Sequence, residues 1–180
     1  KDETGSWQFR HFTKAAGLQD NEFNTGAYAI LGNGHLAFGG VNGLNIFDPI
    51  EVLTDSFSSN IFITNILIGN NVVKPNDESG ILQQAIEYTE SIKLKSHQNF
   101  FTLEFSALDL RAPEQNKYRY QLEGIDETWI ENGNRRNVTY SHLPPGNYVF
   151  KVQGSNSLGI WSDHVDELEI KILPPWWQSW

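Results

Sequence analysis

Neither cysteine nor methionine occurs among the 180 residues, and each absence excludes something. Without cysteine there is no disulfide framework, no thiolate metal site and no thiol nucleophile, and the redox compartment stays open. Without methionine, even at position 1, the sequence reads as a piece of a longer protein. Basic residues are scarce: 13 Lys and Arg stand against 22 Asp and Glu, a net charge of −9. Repulsion from phosphate then disfavours nucleic acid as a partner and opposes an anionic bilayer. No apolar run reaches the roughly 18–20 residues that span a membrane, and no stretch reads as a signal peptide. Hydrophobic residues nevertheless make up 39% of the chain and aromatics 13%, enough for a real core.

What is present is strand-like from about residue 60 onward. FFTLEF sets Phe101, Leu103 and Phe105 on one side, KYRYQL does so with Tyr118, Tyr120 and Leu122, NYVFKV with Tyr148, Phe150 and Val152, and LEIKI with Leu168, Ile170 and Ile172. Such alternation marks half-buried strands. IFITNILI, then GNN, then VV reads as a strand, a tight turn and a second strand. APEQN, ENGNRRN and LPPGN are turn clusters, because Pro lacks a donor and Gly or Asn tolerate positive φ. The spacing predicts an all-β sandwich or barrel rather than βαβ units. ESGILQQAIEY could place Ile81, Leu82, Ala85 and Ile86 on a helical stripe, or could be a loop leading into SIKL.

Residues 1–55 hold eight of the fifteen glycines. Their run GNGHLAFGGVNGLNIFDP reads as two short strands joined by a Gly-Asn-Gly turn. The shift in texture sets a boundary between Asp48 and Asp55 and divides the chain into 1–55, 56–175 and a tail at 176–180.

Catalytic patterns are missing. His11, His35, His97, His142 and His164 lack metal-ligand spacing. GNGHLAFGG has no Lys or Ser/Thr of a phosphate loop, and GSNSLG has no nucleophile-elbow spacing. Asp126 with Glu127, and Asp163 with Asp166 and Glu167, match no EF-hand, which leaves solvated loops as the simpler reading than a calcium site. NVT at Asn137 is a glycosylation acceptor pattern only.

Four linked features carry a family resemblance: YRYQLEG, a Trp five residues after that Gly, TYSHLPPGNY and GIWS. On these, residues 99–180 resemble the three-tyrosine (Y_Y_Y) domain of the periplasmic sensor region of bacterial two-component regulators, hybrid histidine kinases among them. The strands from Ile61 fit the same module. Residues 5–50, through WQFRHFT, GLQDNEF and GHLAFGGVNGLNIFDP, resemble the final blade of the β-propeller that precedes it. One blade cannot close a propeller of about four to eight blades. The segment is therefore expected to lie on the sandwich or to exchange strands with a second copy.

The expected fold is an immunoglobulin- or fibronectin-III-like β-sandwich with an N-terminal propeller-blade-like segment. In such sandwiches a Tyr after a turn ties its hydroxyl back to nearby backbone, and an indole is buried between the sheets. Tyr148 after LPPG is the candidate for that corner, with Tyr140 at the preceding strand end, and Trp129 is the candidate indole. Tyr118, Tyr120 and Trp161 complete the structural motif. In LPPWWQSW, Trp176, Trp177 and Trp180 suit a bilayer interface, since the family's segment leads into a transmembrane helix. Trp176 and Trp177 equally suit a cap on the sandwich base.

The resemblance implies a non-catalytic periplasmic part of an inner-membrane sensor, with no cofactor and no metal. It would relay a ligand-induced change and dimerisation from the upstream propeller, through a downstream transmembrane helix, to a cytoplasmic output domain such as a histidine kinase. A dimer is the favoured state, and a carbohydrate is a candidate ligand of the full sensor. The competing reading is an extracellular carbohydrate-binding sandwich, which needs exposed aromatic rings on one sheet.

Overall fold

The computed structural model describes residues 11–14, 17–54, 60–110, 113–157 and 159–175. Two compact units are present, Lys1–Phe57 with Leu110–Ala112, and Ser58–Asp109 with Pro113–Trp180.

In the first unit, β1 (Tyr28–Ile30), β2 (Leu36–Gly40) and β3 (Gly43–Phe47) form an antiparallel sheet. The run from Gly32 to Pro49 holds the two expected short strands, β2 and β3, but the Gly-Asn-Gly turn precedes β2 and does not join the two. Gly32-Asn33-Gly34 turns β1 into β2, with Gly34 at φ 86°, and a separate turn at Val41 and Asn42 leads into β3. Phe38 stacks on Phe47 with ring centres 5.8 Å apart and meets Phe23 edge-on at 6.2 Å. Gly40 is required where it stands, because a Cβ there would lie 2.6 Å from the Glu22 carbonyl oxygen. A helix of six residues follows, α1 (Pro49–Thr54). The Asp48 side chain caps its start by accepting the Ile50 N–H at 2.8 Å, with Pro49 in the first turn, where its missing donor costs nothing.

The second unit is a β-sandwich. One sheet holds β4 (Ile61–Ile68), β5 (Asn71–Val72), β7 (Phe101–Ala107) and β10 (Asn137–Tyr140) in the order β10-β7-β4-β5. The other holds β6 (Ser91–Leu94), β8 (Tyr118–Glu123), β9 (Ile130–Gly133), β11 (Gly146–Gly154) and β12 (Asp166–Ile172) in the order β6-β12-β11-β8-β9. All pairings are antiparallel except β6 with β12. Inward residues from both sheets form one core, with Ile61, Ile66, Phe101, Leu103, Tyr118, Leu122, Phe150 and Val152 fully buried. A bulge between Ile63 and Asn65 changes the parity of β4, so that Ile61 and Ile63 before it and Ile66 after it all face inward.

The segment 78–88 is not an α-helix. Asp77 accepts the N–H groups of Lys74 and Ser79, Gly80 takes φ 66°, and Asn76 N–H bonds to Leu82 C=O, so turn bonds occupy the backbone donors a helix would need. Only a short 3-10 turn forms, Ile86–Tyr88. Ile81, Leu82 and Ile86 still enter the core from this irregular segment. Burial, not helical periodicity, explains the apolar pattern there.

Strand polarity gives the sandwich two distinct poles. Ile63 N–H donates to Asp166 Oδ2 at 2.6 Å, which sets the start of β4 beside the start of β12. Chain therefore comes in at one pole and β12 leaves at the other, where Ile172 lies opposite Gly146 and Leu94.

Candidate functional site

Alternation in β8, β10 and β11 sends four tyrosines toward the core. The Tyr148 hydroxyl donates to the Pro144 carbonyl at 2.9 Å, and its ring lies against Gly124 and Gly146. Its loop, LPPG, supplies the carbonyl and the room. Tyr118 is fully buried and its hydroxyl accepts the Ala107 N–H at 3.3 Å, joining the two sheets. Tyr120 stacks on Phe150 at 6.1 Å and meets Tyr140 edge-on at 6.4 Å. The Tyr140 ring packs on Phe101 at 5.6 Å, but its buried hydroxyl has no partner among the described residues. Burial pushes the Tyr140 phenol far above its usual range, with the charge of Asp126 and the Tyr120 hydroxyl adding to the effect. Burial, then Asp126, also raises Tyr120, and burial alone raises Tyr148. All three stay neutral at physiological pH, as ring packing in a core requires.

Trp129 does not lie between the sheets. It is half-buried on the outer face of the five-stranded sheet, because Arg119 alternates outward from β8 between buried Tyr118 and inward Tyr120 and draws two indoles to it. The Arg119 guanidinium lies 5.1 Å from the Trp129 ring centre and 4.6 Å from that of Trp161. Arg119 Nε donates to Gln153 Oε1 at 2.7 Å, and Gln153 Nε2 donates to the Ser162 carbonyl at 2.6 Å. The stack ties the β8–β9 edge to the loop that holds the GIWS run. Each indole turns a face to the guanidinium, which is that much less face for a sugar ring. Arg119 carried no signal in the sequence beyond its place between two inward tyrosines.

The acidic groups are spread over separate tasks. Asp126 accepts the Leu122 N–H at 2.8 Å and closes the turn after β8. Lys151 bonds Glu123 at 2.6 Å and Glu167 at 3.5 Å, and the Glu123 bond raises the lysine pKa. Asp166 bridges the sheets to Ile63. Its burial raises its pKa against the lowering effects of the Ile63 N–H and of His164. Among the described residues no group of three or more His, Asp or Glu is placed to hold a metal. His35 lies 3.9 Å from Asp48, and the His164 ring lies 6.1 Å from Phe62. His11, His97 and His142 are exposed. Trp176, Trp177 and Trp180 fall outside the described residues. Among the described residues no helix is long and apolar enough to cross a membrane.

A hollow of about 540 Å³ in the first unit is lined by Phe12, Leu18, Phe23, Phe38, Phe47 and Val52. A smaller one of about 310 Å³ lies on the five-stranded sheet, lined on its outer side by Ser91, Lys93, Asn147, Val149, Glu169 and Lys171.

Comparison with known proteins agrees with this architecture. Histidine kinase P4 of Formosa agariphila is 27% identical over 169 residues, covering 94% of this chain and 12% of that protein. The crystal structure of the extracellular domain of BT3049, assigned as a hybrid two-component system of B. thetaiotaomicron, matches with a TM-score of 0.68 at 27% identity, over 91% of this chain and 22% of that one. The extracellular domain of BT4673 from B. thetaiotaomicron, likewise assigned as a hybrid two-component system, matches with a TM-score of 0.61 at 33% identity, over 84% of this chain and 20% of that one. The chain thus spans a small part of the length of each. Residues 109–173 match the Y_Y_Y domain. That match takes in strands β8 to β12 with the tyrosine core and the Trp129–Arg119–Trp161 stack, and it is in these strands that the chain is similar to the Y_Y_Y domain family.

Proposed function

We propose that this chain is a non-catalytic periplasmic segment of a membrane-bound two-component sensor, in which the sandwich relays displacement from upstream domains toward a membrane helix. Tyr118, Tyr148 and the Trp129–Arg119–Trp161 stack make the body stiff. The kinase or other output belongs to domains elsewhere in the parent. Two copies side by side would convert a change in their separation into a signal, and a carbohydrate bound upstream is a fitting stimulus. The kinship with a histidine kinase and with extracellular domains of two-component systems supports the class of protein.

The polarity of the sandwich is the observation that carries the relay. β4 and β12 start side by side, and the seven residues of β12 span about 20 Å at roughly 3.3 Å each before leaving at the far pole. β12 is held on both sides, by β11 and β6, so a push at one pole reaches the other without a hinge between. The test is a flexible Gly-Ser insertion directly after Leu173 in the full-length parent. The reading expects stimulus-dependent output to be lost while the protein still reaches the membrane. Undiminished signalling through the insertion would rule the relay out.

A further inference from the structure

We infer that the pole from which β12 leaves carries a docking surface for anionic phospholipid headgroups, centred on Lys93 and Lys171 with Lys95 beside them. The inference rests on the reading above that this side of the sandwich faces a membrane.

Lys93 and Lys171 are direct partners in the parallel β6–β12 ladder. Their neighbours Ile92, Leu94, Ile170 and Ile172 are buried, so both lysines project outward and both are exposed. Like charges placed opposite each other across a ladder destabilise a sheet. An anion shared between them removes that penalty. Lys95, also exposed, follows at the end of β6. Among the described residues Lys151 is held by Glu123 and Glu167, while Lys93, Lys95 and Lys171 have no carboxylate within ion-pair distance.

Around the lysines lies the hollow of about 310 Å³, to which Ser91 and Asn147 add polar groups. Glu169, two residues before Lys171 on the same face, is the one acid that lines it, against Lys93 and Lys171, while Glu167 on the same strand and Glu123 opposite Val149 are tied to Lys151. Asp126 and Glu127 belong to the turn after β8, two to three strands away in the order β6-β12-β11-β8-β9. At about 4.8 Å per strand that is roughly 10–14 Å, beyond the screening length of about 8 Å at physiological salt. The whole-chain charge of −9 is screened in the same way, and the lysine pole acts as a local positive surface.

The test is flotation of the 180-residue chain with vesicles of phosphatidylglycerol and phosphatidylethanolamine, or of phosphatidylcholine alone. The expected result is a bound fraction several-fold higher on the anionic vesicles, falling with added salt. K93Q/K171Q, with an unchanged circular dichroism spectrum, should bring it down to the phosphatidylcholine level. Equal binding of variant and native chain, or no binding by either, overturns the inference. So does equal retention on both vesicle types, which would mean that the contact does not depend on lipid charge. Displacement by inorganic phosphate at matched ionic strength would mean a small-anion site and overturns it as well. Vesicle binding that fails while the Gly-Ser insertion still abolishes signalling would discard the surface and leave the relay standing.

Discussion

Tyr148 and Tyr140 both send their rings into the core, and their hydroxyls end differently. The Tyr148 hydroxyl reaches the Pro144 carbonyl, whereas that of Tyr140 is buried with no partner among the described residues. A satisfied bond contributes about 1 kcal/mol, while an orphaned buried hydroxyl contributes only its desolvation cost. Tyr148→Phe should therefore lower the urea midpoint by an amount worth about 1 kcal/mol, and Tyr140→Phe should leave it unchanged or raise it. Equal losses in the two variants would contradict the assignment. Asp166 allows a second comparison. Its folded-state pKa is raised by burial, so protonation favours the folded form. That contribution is complete below the ordinary carboxyl value of about 3.9 and is lost as pH rises through the folded value. Asp166→Asn keeps an acceptor for Ile63 without the charge. The stability difference between the variant and the native chain should shift in the variant's favour between about pH 3 and about pH 7, as followed by urea titration. A difference independent of pH would show that the carboxylate carries no burial cost.

At the scale of elements, the stack on Arg119 joins parts that backbone bonding holds weakly. β9 is an edge strand of four residues that among the described residues pairs only with β8, and the backbone of the GIWS loop joins the sheet there at one β-bridge, Ser155 with Trp161. Arg119→Ala removes both indole contacts and the bond to Gln153. It should cost about 1–2 kcal/mol and speed amide exchange in 129–133 and 159–162 more than in β7. Uniform loss of protection would mean that Arg119 serves the whole fold instead. The strands themselves were legible because alternation writes the inward face directly: Phe101, Leu103 and Phe105 point inward as their period of two requires. Trp129 was misplaced because an indole is equally at home between sheets or over a guanidinium, and its side depends on register with β8. The stretch from Ile81 to Ile86 left a helix and a loop both open for a related reason. Core burial rewards apolar residues whatever the backbone, and the turn at Asp77 to Gly80 had already used the donors.

For the molecule as a whole, the two poles make resistance to load depend on direction. Pulled from Asn60 and Pro174, β4 and β12 are dragged along their own axes and their ladders are loaded in shear, many bonds at once. Pulled from Asn60 and Asp163, which lie near the same pole, the sheets are pried apart from one end. The absence of native cysteine lets single introduced cysteines define each direction. Force spectroscopy should find a higher unfolding force for Asn60→Cys/Pro174→Cys than for Asn60→Cys/Asp163→Cys. Equal forces would remove the mechanical basis of the relay.

By itself the sequence determined the all-β class, most of the sandwich strands, the family motif and the tyrosines that fill the core, because these follow from side-chain period and turn chemistry within short windows. Tertiary structure alone decided the parallel joining of β6 to β12, the outward Trp129–Arg119–Trp161 stack and the meeting of Lys93 with Lys171. Each depends on which distant strands become neighbours and in what register. Periodicity tells a strand which side to bury, and carries no information about which strand will lie beside it.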